Sequence, residues 1–118
     1  MIGDRVRIGR GQLQDQSVNV PVYDLKKNQD GSYLQDHSHF CFPVVLGGVK
    51  GGSFGTIEGT PAKVMKSSLV GTFGEGASLS ANEPVSLYPV FVDQYKRIGW
   101  LPIESFHIVG HEDKIQDQ

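Results

Sequence analysis

An all-β domain of short strands is what this sequence predicts, and three observations carry the prediction. Apolar and polar residues alternate with a period of two in several short runs, 15 glycines mark tight turns between them, and the last third reads as two strands and a short turn closing a small sheet. Helix is correspondingly scarce. At 118 residues the chain fits one domain, long enough to bury a modest core without disulfides or metals. The expected division is a single domain over residues 1–110, with a hairpin inserted at about residues 18–36, and a polar tail over residues 111–118.

Each element has its own justification. From Asp4 to Ile8, Arg5 and Arg7 alternate with Val6 and Ile8, as in a half-buried first strand. Gly9 to Ser17 is polar and aperiodic, hence a loop. Val18, Val20 and Val22 alternate again, and Leu25 precedes a polar stretch ending in Asp30-Gly31 before Tyr33 and Leu34, which predicts a hairpin turning at Asp30-Gly31. Phe40 to Leu46 is apolar on both faces, but Pro43 cannot donate to a ladder, so this strand belongs at an edge or a bulge. Gly47-Gly48 and Gly51-Gly52 are expected to bracket a turn. Gly55 to Met65 contains Pro61 between glycine-flanked β-branched residues, predicting two strands joined by a bend, with Lys63 and Met65 facing opposite to Val64. Val70 to Pro84 is small and polar, a second long loop. Val85 and Leu87 lie on one face and Tyr88, Val90 and Val92 on the other, so the next strand is apolar on both sides and central. A closing hairpin follows Asp93-Gln94, and a 3-10 turn at Pro102-Ile-Glu-Ser leads into the last strand.

Composition narrows the functional classes. A formal net charge of −2 gives no whole-chain case for nucleic acid or an anionic membrane. The single Cys41 cannot form an internal disulfide, the first residues lack the apolar run of a signal peptide, and no stretch approaches the roughly 20 apolar residues needed to span a bilayer. A soluble cytoplasmic protein is expected.

Gly3-Asp-Arg-Val-Arg-Ile, Gly55-Thr-Ile, Tyr88-Pro-Val-Phe-Val and the Trp100/Phe106 closure, in that order, resemble a small SH3-like barrel. The resemblance covers about half the chain and implies five to seven short strands with two long loops. The small SH3-like subunit of photosystem I, with its Tyr-Pro-Val-x-Val strand, and the type II dihydrofolate reductases share the pattern. In the reductases a Val-Gln-Ile-Tyr-Pro-Val strand from each of four barrels lines a pore that holds nicotinamide cofactor and folate. The matching residues are Val85, Ser86, Leu87, Tyr88, Pro89 and Val90, with Ser86 in place of the two-ended amide. Gly99-Trp-Leu-Pro is similar to the Gly-Trp-x-Pro segment of signalling SH3 domains, which implies a peptide groove at Trp100; there Ser105 stands where the groove tyrosine would be and Phe106 follows one position late. Tyr88, Tyr95, Trp100 and Phe106 are accordingly the candidate ligand-binding residues. The competing reading makes Trp100 and Phe106 packing residues.

His37, His39 and Cys41 are spaced to share one face of a strand, and zinc accepts such ligands, but a fourth is missing. The favoured reading is an edge strand with Phe40, Phe42 and Val44 toward the core and the other three outward. No nucleophile elbow, phosphate loop or His-Glu-x-x-His motif is present, so no catalytic residue, cofactor or metal is assigned. Arg5, Arg7, Arg10, Lys63, Lys66, Lys96 and Arg97, interleaved with Phe54, Tyr88 and Tyr95, form a candidate nucleic-acid surface, ranked below protein binding because 13 carboxylates outnumber 11 cations. The expectation is a protein-binding module that self-associates through the edge strand Phe40 to Leu46. An enzyme of the type II reductase kind is the alternative from another class.

Overall fold

The alternation at the N-terminus becomes structure residue for residue. In the computed structural model, which describes residues 1–9, 19–69 and 83–111, strand β1 spans Asp4–Ile8, with Val6 and Ile8 fully buried and Arg5 and Arg7 half-buried. Seven further strands follow: β2 (Asn19–Leu25), β3 (Pro43–Lys50), β4 (Phe54–Ile57), β5 (Ala62–Met65), β6 (Pro84–Val92), β7 (Arg97–Pro102) and β8 (Phe106–His111). Among the described residues, single 3-10 turns cover Lys66–Ser68 and Ile103–Ser105, the second where the sequence places it, directly before the last strand. The expected loop from Gly9 to Ser17, beyond Gly9 itself, lies outside the described residues, as do residues 70–82 of the second long loop and 112–118 of the tail.

The strands form one antiparallel sheet in the order β3-β2-β7-β6-β4-β1-β8, with β5 beside the first half of β6. The count is eight, one above the expected range, because the segment from Asn19 to Lys50 supplies two full strands of this same sheet. Val20, Val22 and Val49 from one end of the sheet belong to the same buried core as Val6, Ile8 and Phe106 from the other.

A second core lies on the opposite pleat of the middle strands. Tyr23 and Leu25 of β2, Leu87 of β6 and Trp100 of β7 enclose it with Cys41 and Val64, whereas Val22, Val90 and Leu101 of the same three strands belong to the first. Strands buried on both faces read as continuous apolar runs, which is why β6 is recognisable as central from sequence.

Pro89 marks where β6 changes partners. Residues Pro84 to Leu87 pair with β5 and Val90 to Val92 with β4, so the missing N–H falls in the gap between the two ladders. The Pro89 carbonyl accepts the Glu58 amide at 2.8 Å, tying down the bend between β4 and β5 that Pro61 predicts.

Two expectations are corrected. Gly47 and Gly48 lie inside β3, paired with Val22 and Pro21, and the turn is confined to Gly51-Gly52 with Gly52 at φ 89°. A Cβ at Gly47 would stand 2.9 Å from the Tyr95 hydroxyl and one at Gly48 3.2 Å from the Asn19 Cβ, so Gly47 makes room for the Tyr95 side chain and Gly48 for Asn19 of β2, rather than for a turn. The pleat around Cys41 is also the reverse of the expected one: Cys41 is buried in the second core, while Phe42 and Val44 are 36% and 40% exposed. The cause is a tight turn at Asp36 to Phe40. Its carboxylate accepts the amides of Ser38 at 2.8 Å and Phe40 at 3.0 Å, and His39 takes a left-handed φ of 67° that breaks the alternation. The Cys41 amide then donates to the Lys63 carbonyl at 2.8 Å, bringing this residue against β5.

The hydrogen bond from the Phe40 amide holds the Asp36 carboxyl below the usual aspartate range, against a smaller opposing effect of burial and with help from the Ser38 amide, His37 and Lys63. A lowered carboxyl pKa contributes stability that is complete above the unfolded-chain value of about 3.9 and is lost as pH falls through the folded-state value. Protection of the Ser38 and Phe40 amides against hydrogen exchange is therefore expected to fall in that acid window, and Asp36→Asn to flatten the dependence. Identical protection profiles for the variant and the parent would show that the carboxylate does not hold the turn.

Candidate functional site

The hairpin after β2 builds one wall of a cleft. Asp30 accepts both the hydroxyl and the amide of Ser32, at 2.6 and 2.9 Å, and these bonds, the hydroxyl first, hold its carboxyl below the usual range. Gly31 sits at φ 90°, a conformation glycine reaches without strain, and the Asn28 amide closes the turn onto the Ser32 carbonyl at 2.7 Å. Lys27 and Tyr33 consequently bridge across the turn, as the Asp30-Gly31 signal predicts, with the Lys27 ammonium 5.6 Å from the Tyr33 ring centroid.

The opposite wall comes from β7. Trp100 pairs with Tyr23 of β2, and its ring meets Tyr33 edge-on with centroids 5.7 Å apart at 88°. Between the walls lies a half-open cleft of about 300 Å³ lined by Asp24, Lys27, Tyr33, Arg97, Ile98 and Trp100. Arg97 contacts the Asp24 carboxylate through a single 3.4 Å approach, and the other Asp24 oxygen accepts the Leu25 amide at 2.8 Å. Two cations and one carboxylate leave the lining at a formal charge of +1 (2 − 1).

The structure does not gather the four aromatic candidates onto one surface. Trp100 lines the cleft with 6% of its surface exposed, while Phe106 is 1% exposed within the first core. Tyr88 is half-buried at the margin of that core, edge-on to Phe106 with centroids 5.8 Å apart. Tyr95, in the turn between β6 and β7, donates its hydroxyl to the Gly48 carbonyl of β3. Sequence reasoning overlooked Asp24, Lys27, Tyr33 and Ile98. The available signal was the Asp30-Gly31 turn, which sets Lys27 opposite Tyr33; nothing local ties that pair to Trp100.

The other candidates fall as follows. His37 and His39 are exposed and Cys41 is 3% exposed, so the three do not converge, and among the described residues no three His, Cys, Asp or Glu side chains are grouped to hold a metal ion. Arg5 and Arg7 lie 5.8 and 5.9 Å from the Phe54 centroid, but Arg5 is also paired with Asp93 at 2.9 Å. Lys66 faces Glu83 at 3.8 Å, Lys63 stands 4.4 Å over Phe40, and Arg10 lies outside the described residues, so the cations are dispersed over several strands. Ser86 is exposed and Tyr88 half-buried on β6, a strand flanked by β5 and β4 on one side and β7 on the other. Among the described residues no helix is long and apolar enough to cross a membrane.

The sheet has two open ends. At one, β3 pairs only with β2 among the described strands and exposes Val44 and Val45 at 40% and 55%; at the other, β8 exposes Ile108 and Val109. Comparisons with protein-family models, curated proteins and solved structures return no match.

Proposed function

We propose that this chain is a protein-binding module with an SH3-like barrel fold, and that it self-associates by pairing β3 with the same strand of a second copy. One core that takes residues from strands at both ends of the sheet and the 3-10 turn before the last strand support the barrel reading. The observation that carries the function is the β3 edge. Alternate residues of this eight-residue strand turn backbone groups to its open side, it carries no charge before Lys50, and its proline stands only at the first position; the register break at Leu46 is the one edge-blunting irregularity along it.

A second copy suits this edge because an antiparallel pairing places the two Lys50 side chains at opposite ends of the new ladder, while Val44 and Val45 meet apolar neighbours. Such an isologous contact closes on itself as a dimer. Pairing of β3 with β8 of another copy would be heterologous and would continue into a filament.

Light scattering at high protein concentration is expected to give the mass of a dimer, and Val45→Lys to weaken dimerisation by about tenfold or more by setting cations into the ladder. A monomeric mass for the parent chain, with a native-like far-ultraviolet spectrum, would remove the self-association reading.

A further inference from the structure

We propose that the Trp100 cleft is a binding site for an aromatic ring bearing a single carboxylate. The site is separate from the β3 edge and does not depend on it.

The charge of the ligand follows from the lining. The Lys27 ammonium meets the Tyr33 ring and has no carboxylate partner among the described residues. The Arg97 guanidinium is 54% exposed and spends one 3.4 Å contact on Asp24, leaving further N–H groups for an anion, which a planar guanidinium binds well. Two cations repel a cationic ligand. The Asp24 carboxylate beside Arg97 opposes a doubly charged phosphate, whereas one carboxylate matches the net charge of +1 (2 − 1).

The body of the ligand follows from the remaining walls. Tyr33 is 39% exposed and Ile98 41%, flanking the edge of Trp100, so a flat apolar group can cover all three. A volume of about 300 Å³ is at the lower limit of small-molecule sites, which restricts the occupant to about one ring and its acid group. Two sources share this chemistry: a free aromatic acid, and a polypeptide whose last residue is aromatic.

Trp100 is the single tryptophan of the chain, so its fluorescence reports on this cleft alone. The probes are 3-phenylpropionate with its neutral amide, and the blocked tripeptide N-acetyl-Gly-Gly-Phe with its neutral C-terminal amide. Saturable changes in Trp100 emission are expected with both acids, with the amides bound about tenfold more weakly or worse, a factor worth about 1.4 kcal/mol. Tighter binding of the tripeptide acid assigns the site to chain termini, and tighter binding of 3-phenylpropionate assigns it to free acids. Lys27→Met, which keeps the apolar stem at an exposed position, is expected to weaken the acids about tenfold and leave the amides unchanged. Arg97→Gln provides an independent variant with the same expected direction. Equal binding of acids and amides, an unaltered acid affinity in both variants at unchanged thermal midpoint, or no saturable change would overturn the proposal.

Discussion

Phe106→Ala is expected to cost the chain about 3–5 kcal/mol of folding stability, the range for truncating a buried aromatic side chain. Phe106 is 1% exposed and opens β8 directly after the 3-10 turn, opposite Ile8 in the ladder. Its ring belongs to the first core, which draws side chains from strands at both ends of the sheet, and it lies edge-on to Tyr88 with centroids 5.8 Å apart. The core around such a cavity is rich in stiff β-branched side chains, among them Val6, Ile8, Val20 and Val22, which collapse poorly into an empty volume. With total stabilities of about 5–15 kcal/mol typical of single domains, the variant should stand near the limit of folding. Urea unfolding gives the test, and a loss below about 1 kcal/mol would show that the ring is not a mainstay of the first core.

The second large effect is expected from adding one methyl group. Gly55 on β4 faces β6, and a Cβ at this position would lie 2.5 Å from the Val90 Cγ1 and 2.7 Å from the Phe91 carbonyl oxygen. A side-chain methyl can turn aside, but the Phe91 carbonyl belongs to the ladder backbone, so β4 and β6 must separate. Gly55→Ala should therefore reach the upper part of the overpacking range, about 3 kcal/mol. Gly99→Ala provides the comparison. Its Cβ would meet the Val22 Cγ1 at 2.2 Å, a closer approach but to a side chain alone, and the loss should be smaller. The expected order of unfolding midpoints is parent, then Gly99→Ala, then Gly55→Ala; the reverse order would mean that the backbone at Phe91 yields more readily than Val22.

The elements legible in the sequence are those whose burial depends on local pattern. β1 follows from Val6 and Ile8 alternating with Arg5 and Arg7, β6 from apolar residues on both pleats, and the bend between β4 and β5 from Pro61 with its flanking glycines. What misled was set by distant residues. Gly47 and Gly48 look like turn glycines, yet they are strand residues beneath Tyr95, 47 positions away from Gly48 along the chain. Cys41 looks outward-facing by alternation, yet the left-handed His39 reverses the phase before the strand begins. The cleft was half visible. Trp100 and Arg97 drew attention singly, and the Lys27/Tyr33 bridge follows from its turn, but only the long-range pairing of Tyr23 with Trp100 makes them neighbours.

That pairing is also the sole register pair joining β2 to β7. Elsewhere the β2–β3 ribbon is bound to the remainder through the Tyr95 hydroxyl on the Gly48 carbonyl, the Arg97–Asp24 contact, and above all Val20, Val22, Val49, Tyr23 and Leu25, whose side chains enter both cores. Packing is non-directional, whereas a ladder fixes distance and orientation residue by residue. The ribbon is thus held mainly by packing and oriented by few directional contacts, which makes the whole ribbon, rather than a fraying strand, the expected unit of partial opening. Because it draws side chains out of both cores together, such an opening would be rare, cooperative and accompanied by loss of the Trp100 cleft.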